Sequence, residues 1–226
     1  MSHAVVLHQW EISPFCQKVA KALQHKGLSY QTVDYNGAMA AKAQTLSKVG
    51  KLPVLDIDGK RVQDSTQIAR YLDHAYPDLP PLYPVDPLQK AQAELWEDWS
   101  DELLYWYEVY FRVNDPDALD AAASLSVAGR PAHEKILVKP MLKAALKAQL
   151  FFQGLGKMRA EDVLAEMIRH LDRIELVLSA TPFLVGSQKT IADIAVATQL
   201  AEMVRTSAQM RPQILARPHL AAWLSS

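Results

Sequence analysis

The sequence predicts an α/β domain with a mixed sheet, in the order βαβαββα, followed by a domain built only of helices. Short apolar runs alternate with helical patterns in the first 76 residues. Five prolines then fall within the twelve residues from 76 to 87, which excludes a helix or a central strand there. Beyond them, apolar residues recur at helical spacing. We therefore expect two domains, 1–76 and 88–226, joined by a stiff proline-rich linker at 77–87.

The N-terminal pattern predicts strand, helix and strand in succession. An apolar run at residues 4–7 predicts the first strand. A helix follows at 14–26, where Gly27 is a typical stop, and a second strand is expected at about 30–34.

The rest of this domain is predicted to hold a helix, a hairpin and a final helix. A polar helical segment spans residues 38–48, and an apolar strand follows at 51–55. Residues 58–60 form a turn into a short strand at 61–63. The final helix opens at residues 64 and 65.

The second domain opens with an apolar stripe along one long helix. Its members recur at three- and four-residue spacing: Trp96, Trp99, Leu103, Trp106 and Tyr110.

Later helices are expected at about 134–152, 160–179, 190–206 and 218–224. Pro140 lies inside the first of these and removes a backbone donor, so we expect a kink or a break near Val138. The last helix is expected to dock Trp223.

Composition is that of an ordinary folded protein, with 226 residues, of which 50% are apolar and 22% charged. The formal net charge is −1, from 24 basic and 25 acidic residues. Because neither sign dominates, we expect no nucleic-acid partner and no membrane partner.

The sequence also predicts the cellular location and the redox environment of the protein. Residues 1–4 carry no basic region, and no apolar run approaches the roughly 18 residues that a spanning helix needs. The single cysteine excludes an intramolecular disulfide, which is typical of a reducing compartment. We therefore expect a cytoplasmic protein. The seven histidines lack metal-ligand spacing, so we expect no metal.

The start of the first helix carries the most informative chemistry. Ser13 is a preferred N-cap and Pro14 a favoured first residue, which places Cys16 at the third helical position. Unpaired N–H groups and the positive end of the helix dipole meet there, and both favour a bound anion or a thiolate. An ordinary cap beside an inert buried cysteine explains the same residues, and these four residues alone favour that interpretation.

Motifs along the chain resemble, in order, those of the glutathione S-transferase superfamily. The first domain contains Ser-Pro-Phe-Cys at 13–16, Lys-Leu-Pro-Val-Leu at 51–55 and Asp-Ser at 64–65. The last helices contain Leu-Asp-Arg-Ile-Glu at 171–175, Pro-Phe-Leu-Val-Gly at 182–186 and Thr-Ile-Ala-Asp-Ile-Ala at 190–195. The resemblance covers essentially the whole chain. It implies a thioredoxin-like first domain and a helical domain that lines a hydrophobic substrate site.

The resemblance also implies an activity. A glutathione transferase would activate bound glutathione as a thiolate for attack on small apolar electrophiles, with glutathione as co-substrate and no metal. Homodimerisation is implied as well. Two alternatives stay open, a glutathione-dependent thiol reductase or isomerase that uses Cys16, and a non-catalytic glutathione- or ligand-binding protein of the same fold.

Ser13 and Cys16 are the two catalytic candidates. The resemblance places the Ser13 hydroxyl at the glutathione sulfur, where a donor stabilises thiolate over thiol. No tyrosine lies between residues 3 and 26, and Ser13 is the only hydroxyl there. Cys16 matches the second position of a Cys-x-x-Cys motif whose first position is Ser13, so a dithiol cycle is excluded and a monothiol role stays open.

Contacts with the rest of glutathione are implied in the same way. A cis bond between Leu52 and Pro53 would leave the Leu52 N–H and C=O to pair with the cysteinyl unit. Lys51 would face the glycine carboxylate, and Phe15 belongs to the same binding set. A simple strand entry is the local alternative for this segment.

Asp64 and Ser65 are implied to hold the γ-glutamyl end. Ser65 and its helix N-terminus would bind the carboxylate, and Asp64 would pair with the ammonium group. An N-cap without a ligand is locally an equal explanation.

Two further pairs complete the candidate residues. Tyr107 and Phe111 sit on a helix face beside the apolar stripe and together are candidates for the substrate pocket. For either residue by itself, packing in the core or against a second copy is the favoured alternative. Thr190 and Asp193 have the form of a capping box with Asp in place of Glu, and we expect them to be structural.

Overall fold

A mixed four-stranded sheet organises the N-terminal domain. The computed structural model describes residues 5–131 and 133–226 of the chain. The strands are β1 (Val6–Gln9), β2 (Gln31–Asp34), β3 (Val54–Ile57) and β4 (Lys60–Gln63), in the spatial order β2-β1-β3-β4. β1 is parallel to β2 and antiparallel to β3, which pairs antiparallel with β4. The mixed sheet is therefore confirmed, although residue 4 of the predicted first strand lies outside the described residues.

Three helices flank this sheet: α1 (Pro14–His25), α2 (Ala40–Ala43) and α3 (Ser65–Ala75). The predicted helix at 38–48 is wrong in extent, since a 3₁₀ turn at Gly37–Met39 leads into only four α-helical residues. Its end has a local cause, because the Thr45 hydroxyl donates to the carbonyl of Lys42 at 2.8 Å and competes with continued helix.

The strand predicted at 51–55 begins later, at Val54. Pro53 has no N–H for a ladder hydrogen bond, so pairing starts after it. The Leu52–Pro53 bond is cis, which confirms the expected conformation.

The proline-rich segment at 76–86 contains no regular helix or strand and runs between the two domains. The side chain of Asp73 on α3 holds it in place, accepting hydrogen bonds from the Leu82 and Tyr83 N–H groups at 2.8 and 2.9 Å. Lys26 pairs with the same carboxylate at 2.6 Å. The segment is therefore tied to the first domain.

The C-terminal domain is helical, as expected. Its helices are α4 (Pro87–Trp99), α5 (Tyr105–Asn114), α6 (Pro116–Leu125), α7 (Glu134–Gln153), α8 (Ala160–Ala180), α9 (Ile191–Thr206), α10 (Met210–Leu215) and α11 (Pro218–Leu224). A π-helical segment, Ser100–Leu104, joins α4 to α5 into the expected long helical stretch. The sequence reasoning missed α6 and α10. Asp115 followed by Pro116 was a readable start signal for α6, since Asp115 caps it through its side chain.

The break expected near Val138 is wrong, because α7 runs without interruption from Glu134 to Gln153. Pro140 deprives the carbonyl of Ile136 of its helical donor. Both residues are solvent exposed, so water can take the place of that donor.

Helix α9 forms the centre of the molecule and packs against α1, α4 and α5. Its capping box is present, with the Thr190 side chain accepting from the Ala192 N–H and Asp193 accepting from the Thr190 N–H at 2.9 Å. Asp193 also accepts from the Leu184 N–H at 2.9 Å and from the Trp223 indole at 3.0 Å. The structural role predicted for this pair, and the docking of Trp223, are therefore seen directly.

Within the described parts of the chain, no helix combines the length and the apolar character that crossing a membrane requires.

Candidate active site

A cleft of about 960 Å³ lies between the two domains. The first domain contributes the start of α1 and the loop before β3, and the second contributes α5 and α7. Four of the predicted site residues line this cleft: Ser13, Phe15, Lys51 and Leu52. The structure therefore brings together residues that are almost forty positions apart in the sequence.

Ser13 stands at the N-cap position of α1 in extended conformation, and its side chain makes no capping hydrogen bond to the helix. Its own N–H donates to the Trp10 carbonyl at 2.8 Å, which fixes the turn that leads into the helix. The hydroxyl is thus held at the cleft wall, beside the first backbone N–H groups of α1. The predicted N-cap position is correct, but the hydroxyl caps no helical N–H, and its side chain instead lies in hydrogen-bonding range of the Cys16 thiol.

Cys16 does not reach the cleft, and the expectation of a reactive thiol here is wrong. Its side chain is completely buried, with 0% exposed. Burial raises the pKa of the thiol to about 11. Hydrogen bonds from the Trp10 N–H, at 3.4 Å from the sulfur, and from the Ser13 side chain offset this only in part. The third residue of α1 points into the domain core, so the thiol stays protonated at neutral pH.

Lys51 and Leu52 form the opposite wall. The Ser47 hydroxyl accepts from the Lys51 N–H at 2.8 Å and donates to the Lys51 carbonyl at 2.9 Å, which fixes the backbone just before the cis bond. Among the described residues, no backbone partner takes the N–H or the C=O of Leu52. Pro53 itself is buried behind this wall.

Asp64 and Ser65 lie at the start of α3, outside the lining of the cleft. Asp64 adopts a φ of 74°, which is uncommon for a residue with a side chain, and one carboxylate oxygen, Oδ1, accepts from the N–H groups of Thr66 and Gln67. Thr66 reaches the cleft residue Asp101, with 3.4 Å between its hydroxyl and Oδ2. The two predicted residues are therefore connected to the cleft wall only through Thr66.

Tyr107 and Phe111, predicted for the substrate pocket, are core residues instead. They are 6% and 2% exposed, and neither lines the cleft. Tyr105 and Trp106 take that place. The Phe15 ring packs against Tyr105 at 4.9 Å between centroids, which joins the two domains by an aromatic contact.

The π-helical segment explains this error. The Tyr105 N–H bonds to the carbonyl of Ser100, five residues earlier, so the turn contains one residue more than an α-helical turn. Side chains after the segment therefore point in directions that are rotated about the helix axis, compared with an uninterrupted α-helix counted from Trp96 and Trp99. The inward position falls on Tyr107, and Trp106 turns to the cleft.

A buried ionic cluster supports the loop that carries Ser13. The Arg112 guanidinium donates to the Ile12 carbonyl at 3.0 Å and pairs with Glu108 at 2.6 Å. Glu108 is 1% exposed, and its burial raises its pKa to about 7 although the Arg112 charge opposes that shift. Arg112 also lines the cleft. The sequence offered no signal for this cluster beyond the i,i+4 spacing of the two side chains.

A second buried cluster connects the two domains. The Lys18 ammonium group of α1 lies 2.6 Å from both Glu97 and Asp101, on α4 and the π segment. Burial raises the pKa of Asp101, and the Lys18 charge lowers it in part. Sequence reasoning missed these residues because nothing in a local pattern shows that a lysine on one helix meets carboxylates more than seventy positions away.

Helix α7 supplies much of the second-domain wall, with the lining residues Leu142, Leu146, Ala148, Gln149, Phe152 and Gln153. None of these was predicted, since the contact depends on how α7 packs beside the first domain. Within the described part of the chain, no group of three or more His, Cys, Asp or Glu side chains has the arrangement of a metal site.

The fold and the cleft define a thioredoxin-like domain, with a cis-proline loop facing a helix N-terminus, joined to a helical domain. The family model of the glutathione S-transferase N-terminal domain matches residues 7–81, and that of the C-terminal domain matches residues 144–225. Together these matches cover most of the chain. The protein therefore belongs to the glutathione S-transferase superfamily, as the motifs indicated.

Plant proteins of the same superfamily are among the curated relatives. Arabidopsis thaliana glutathione S-transferase U22 is 33% identical over 109 residues, which is 46% of this chain and 49% of the relative. Zea mays glutathione transferase GST 23 is 37% identical over 101 residues, 43% of this chain and 44% of the relative. The chain thus matches about half the length of these relatives.

Solved structures share the fold over nearly the whole chain. Poplar glutathione transferase F1 has a TM-score of 0.69 with 16% identity, covering 99% of this chain and 92% of that one. The β-etherase LigF from Sphingobium also has a TM-score of 0.69, with 22% identity and coverage of 99% and 94%. Rice GST1, solved in complex with glutathione, has a TM-score of 0.63 with 21% identity and coverage of 100% and 86%.

Proposed function

We propose that this protein is a glutathione transferase, which activates bound glutathione as a thiolate for attack on small apolar electrophiles. One observation carries the proposal. The Ser13 hydroxyl, which the helix does not use as a cap, stands in the inter-domain cleft at the positive end of α1.

Ser13 would act on the sulfur of bound glutathione. Its O–H donates a hydrogen bond to the sulfur, and the N-terminus of α1 adds positive potential, so that both lower the pKa of that thiol. The proton leaves to solvent. The thiolate then supplies the electron pair of the new sulfur–carbon bond, and the leaving group of the electrophile departs with the electron pair of the broken bond.

Leu52 and Lys51 would bind the peptide itself. The N–H and C=O of Leu52 are available to pair with the backbone of the cysteinyl unit, as in the addition of a strand. The Lys51 side chain is exposed beside them and suits the glycine carboxylate.

Asp64 and Ser65 would hold the γ-glutamyl end. The Oδ1 atom of Asp64 is occupied by the N-terminus of α3, which leaves Oδ2 for an ammonium group. Ser65 and the first N–H groups of α3 suit a carboxylate. Because neither residue lines the cleft, this part of the proposal requires the peptide to extend past the cleft wall toward α3.

The electrophile would lie against aromatic side chains of the cleft. Phe15, Tyr105 and Trp106 form one side, and Phe152 on α7 forms the other. These residues take the role first expected of Tyr107 and Phe111, which are core residues. Such a surface suits flat apolar molecules.

The alternative of a thiol reductase or isomerase is not favoured by any observation. It requires the Cys16 sulfur to reach a bound disulfide, whereas that side chain is fully buried and its pKa is raised to about 11.

A cytoplasmic homodimer completes the proposal. An apolar cavity of about 310 Å³ on the outer side of α4 and α8, lined by Trp96, Trp99 and Ile174 among others, suits a side chain of a second copy. Light scattering at micromolar concentration tests this, and a mass of one chain would overturn it.

The activity is tested with glutathione and chlorodinitrobenzene. We expect the S-dinitrophenyl adduct by mass spectrometry, with chloride released, and heat of glutathione binding in calorimetry without the electrophile. Binding without turnover of this or other aryl and alkyl halides would indicate a binding protein instead. Reduction of a mixed disulfide of glutathione that Cys16→Ala abolishes would establish the reductase alternative.

A further inference from the structure

Helix α7 carries an unusual concentration of exposed apolar side chains. Leu137, Met141, Ala144, Ala148 and Phe151 recur at spacings of four, three, four and three residues, so they form one stripe along the helix. All five are exposed; Met141 is 70% and Leu137 65% exposed. We call this stripe the outer face of α7. A soluble fold leaves such a continuous apolar stripe in water only rarely, and it usually marks an interaction surface.

Charge on the same helix is strongly one-sided. Within Glu134–Gln153 the helix contains four lysines and a single glutamate, although the whole chain has a net charge of −1. Lys135 and Lys139 pair with Asp120 at 3.3 and 2.9 Å. Lys143 and Lys147, which helical spacing places beside the outer face, form no ion pair with any described residue. Two free positive charges therefore border the apolar stripe.

We propose that the outer face of α7 docks on an anionic lipid surface. A single convex helix that combines apolar side chains with flanking lysines fits a planar interface, where the apolar side chains enter the headgroup region and the ammonium groups meet anionic lipids. The near-neutral charge of the whole chain predicted no membrane partner, because that count averages over this local basic segment.

Because α7 also borders the cleft, docking of its outer face on lipid would bring the cleft close to the lipid surface. Phe152, 84% exposed, continues the outer face and, like Ala148 of that face, also lines the cleft. Docking would thus place the cleft mouth beside the lipid, where apolar molecules concentrate. Binding to lipid does not rest on the proposed activity, and it is tested without it.

The test is flotation of the protein with vesicles made of equal parts phosphatidylserine and phosphatidylcholine, compared with phosphatidylcholine alone. We expect binding to the anionic vesicles that weakens as salt is added. The double variant Lys143→Glu/Lys147→Glu should lose roughly thirtyfold or more in apparent affinity, since each lysine near such a surface contributes about a factor of five. Leu137→Ser/Met141→Ser should lose binding as well.

Matched controls lie elsewhere on the surface. Lys90→Glu changes an exposed lysine of α4, and Leu176→Ser changes a leucine of α8 that is 72% exposed. Both should float like the wild type, and all variants should keep the wild-type melting temperature. No flotation of the wild type, or equal loss in the control variants, would overturn the proposal. A change in oligomeric state of Leu137→Ser/Met141→Ser without lipid would overturn it too, because a second copy would then cover this face.

Discussion

Ser13 and Cys16 lie on the same turn of α1, yet the structure places them in opposite environments. Ser13 stands at the cleft, whereas Cys16 is fully buried and has a pKa raised to about 11. A helix N-terminus stabilises a nearby negative charge by about 1 kcal/mol. Burial shifts a pKa by up to about 3–5 units, at about 1.4 kcal/mol for each unit. The side of the helix, rather than closeness to its N-terminus, therefore decides which of the two side chains can take part in chemistry.

The largest expected difference between a core residue and a cleft residue is in the free energy of unfolding of two α5 variants. Phe111→Ala removes a ring that is 2% exposed and should lower the free energy of unfolding by about 3–5 kcal/mol. Trp106→Ala, at the cleft, should cost less stability and should mainly raise the KM for the electrophile. Urea denaturation and steady-state kinetics measure the two effects. Equal loss of stability in both variants would show that the helix is not rotated as described.

For catalysis, Ser13→Ala should lower kcat/KM by about 10²–10³-fold, the usual effect of losing one donor to a developing or stabilised anion. Cys16→Ala should stay within about twofold of the wild type, because its sulfur does not reach the cleft. Ser13→Thr keeps the hydroxyl and should recover part of the loss. A Cys16→Ala variant that lost as much activity as Ser13→Ala would reverse the assignment.

The buried thiol should also make stability depend on alkaline pH. The pKa of Cys16 is raised from 9.0 to about 11 in the folded state, so the folded protein holds this proton more tightly than the unfolded chain. The resulting stabilisation is present below pH 9 and is lost as pH rises through 11, by an amount on the order of 2–3 kcal/mol. Denaturation curves recorded at several pH values measure it. Cys16→Ala should remove this part of the pH dependence, and an unchanged profile in that variant would contradict the buried thiol.

The smallest expected effect is the difference in stability between removing the N-cap side chain of α9 and removing that of α1. Thr190→Ala should cost about 1 kcal/mol, because the Thr190 side chain accepts a hydrogen bond from the Ala192 N–H. Ser13→Ala should cost clearly less, since its hydroxyl makes no such bond. Thermal unfolding of the two variants makes the comparison. If Ser13→Ala cost as much as Thr190→Ala, the Ser13 hydroxyl would serve the helix and not the cleft.

Local patterns predicted much of this molecule. The order of elements in the first domain, the linker, and the capping box at Thr190 all depend on signals within a few residues. The same holds for the position of Ser13 at the start of α1. These features could therefore be predicted from the sequence before the fold was known.

Features that depend on tertiary packing could not be predicted from local sequence patterns. The π segment rotates the helix after Ser100, which moved Trp106 to the cleft and Tyr107 into the core. The burial of Cys16 depends on the helix orientation on the sheet. Partners of Arg112 and Lys18 come from distant parts of the chain, and no local pattern identifies them.

The most direct test is an absorbance titration of the thiolate of bound glutathione, in the wild type, Ser13→Ala and Cys16→Ala. The account predicts a lowered thiol pKa in the wild type and in Cys16→Ala, and a pKa at least about one unit higher in Ser13→Ala, which corresponds to one lost hydrogen bond to a charged group. An unchanged pKa in Ser13→Ala, or a shift in Cys16→Ala alone, would contradict it.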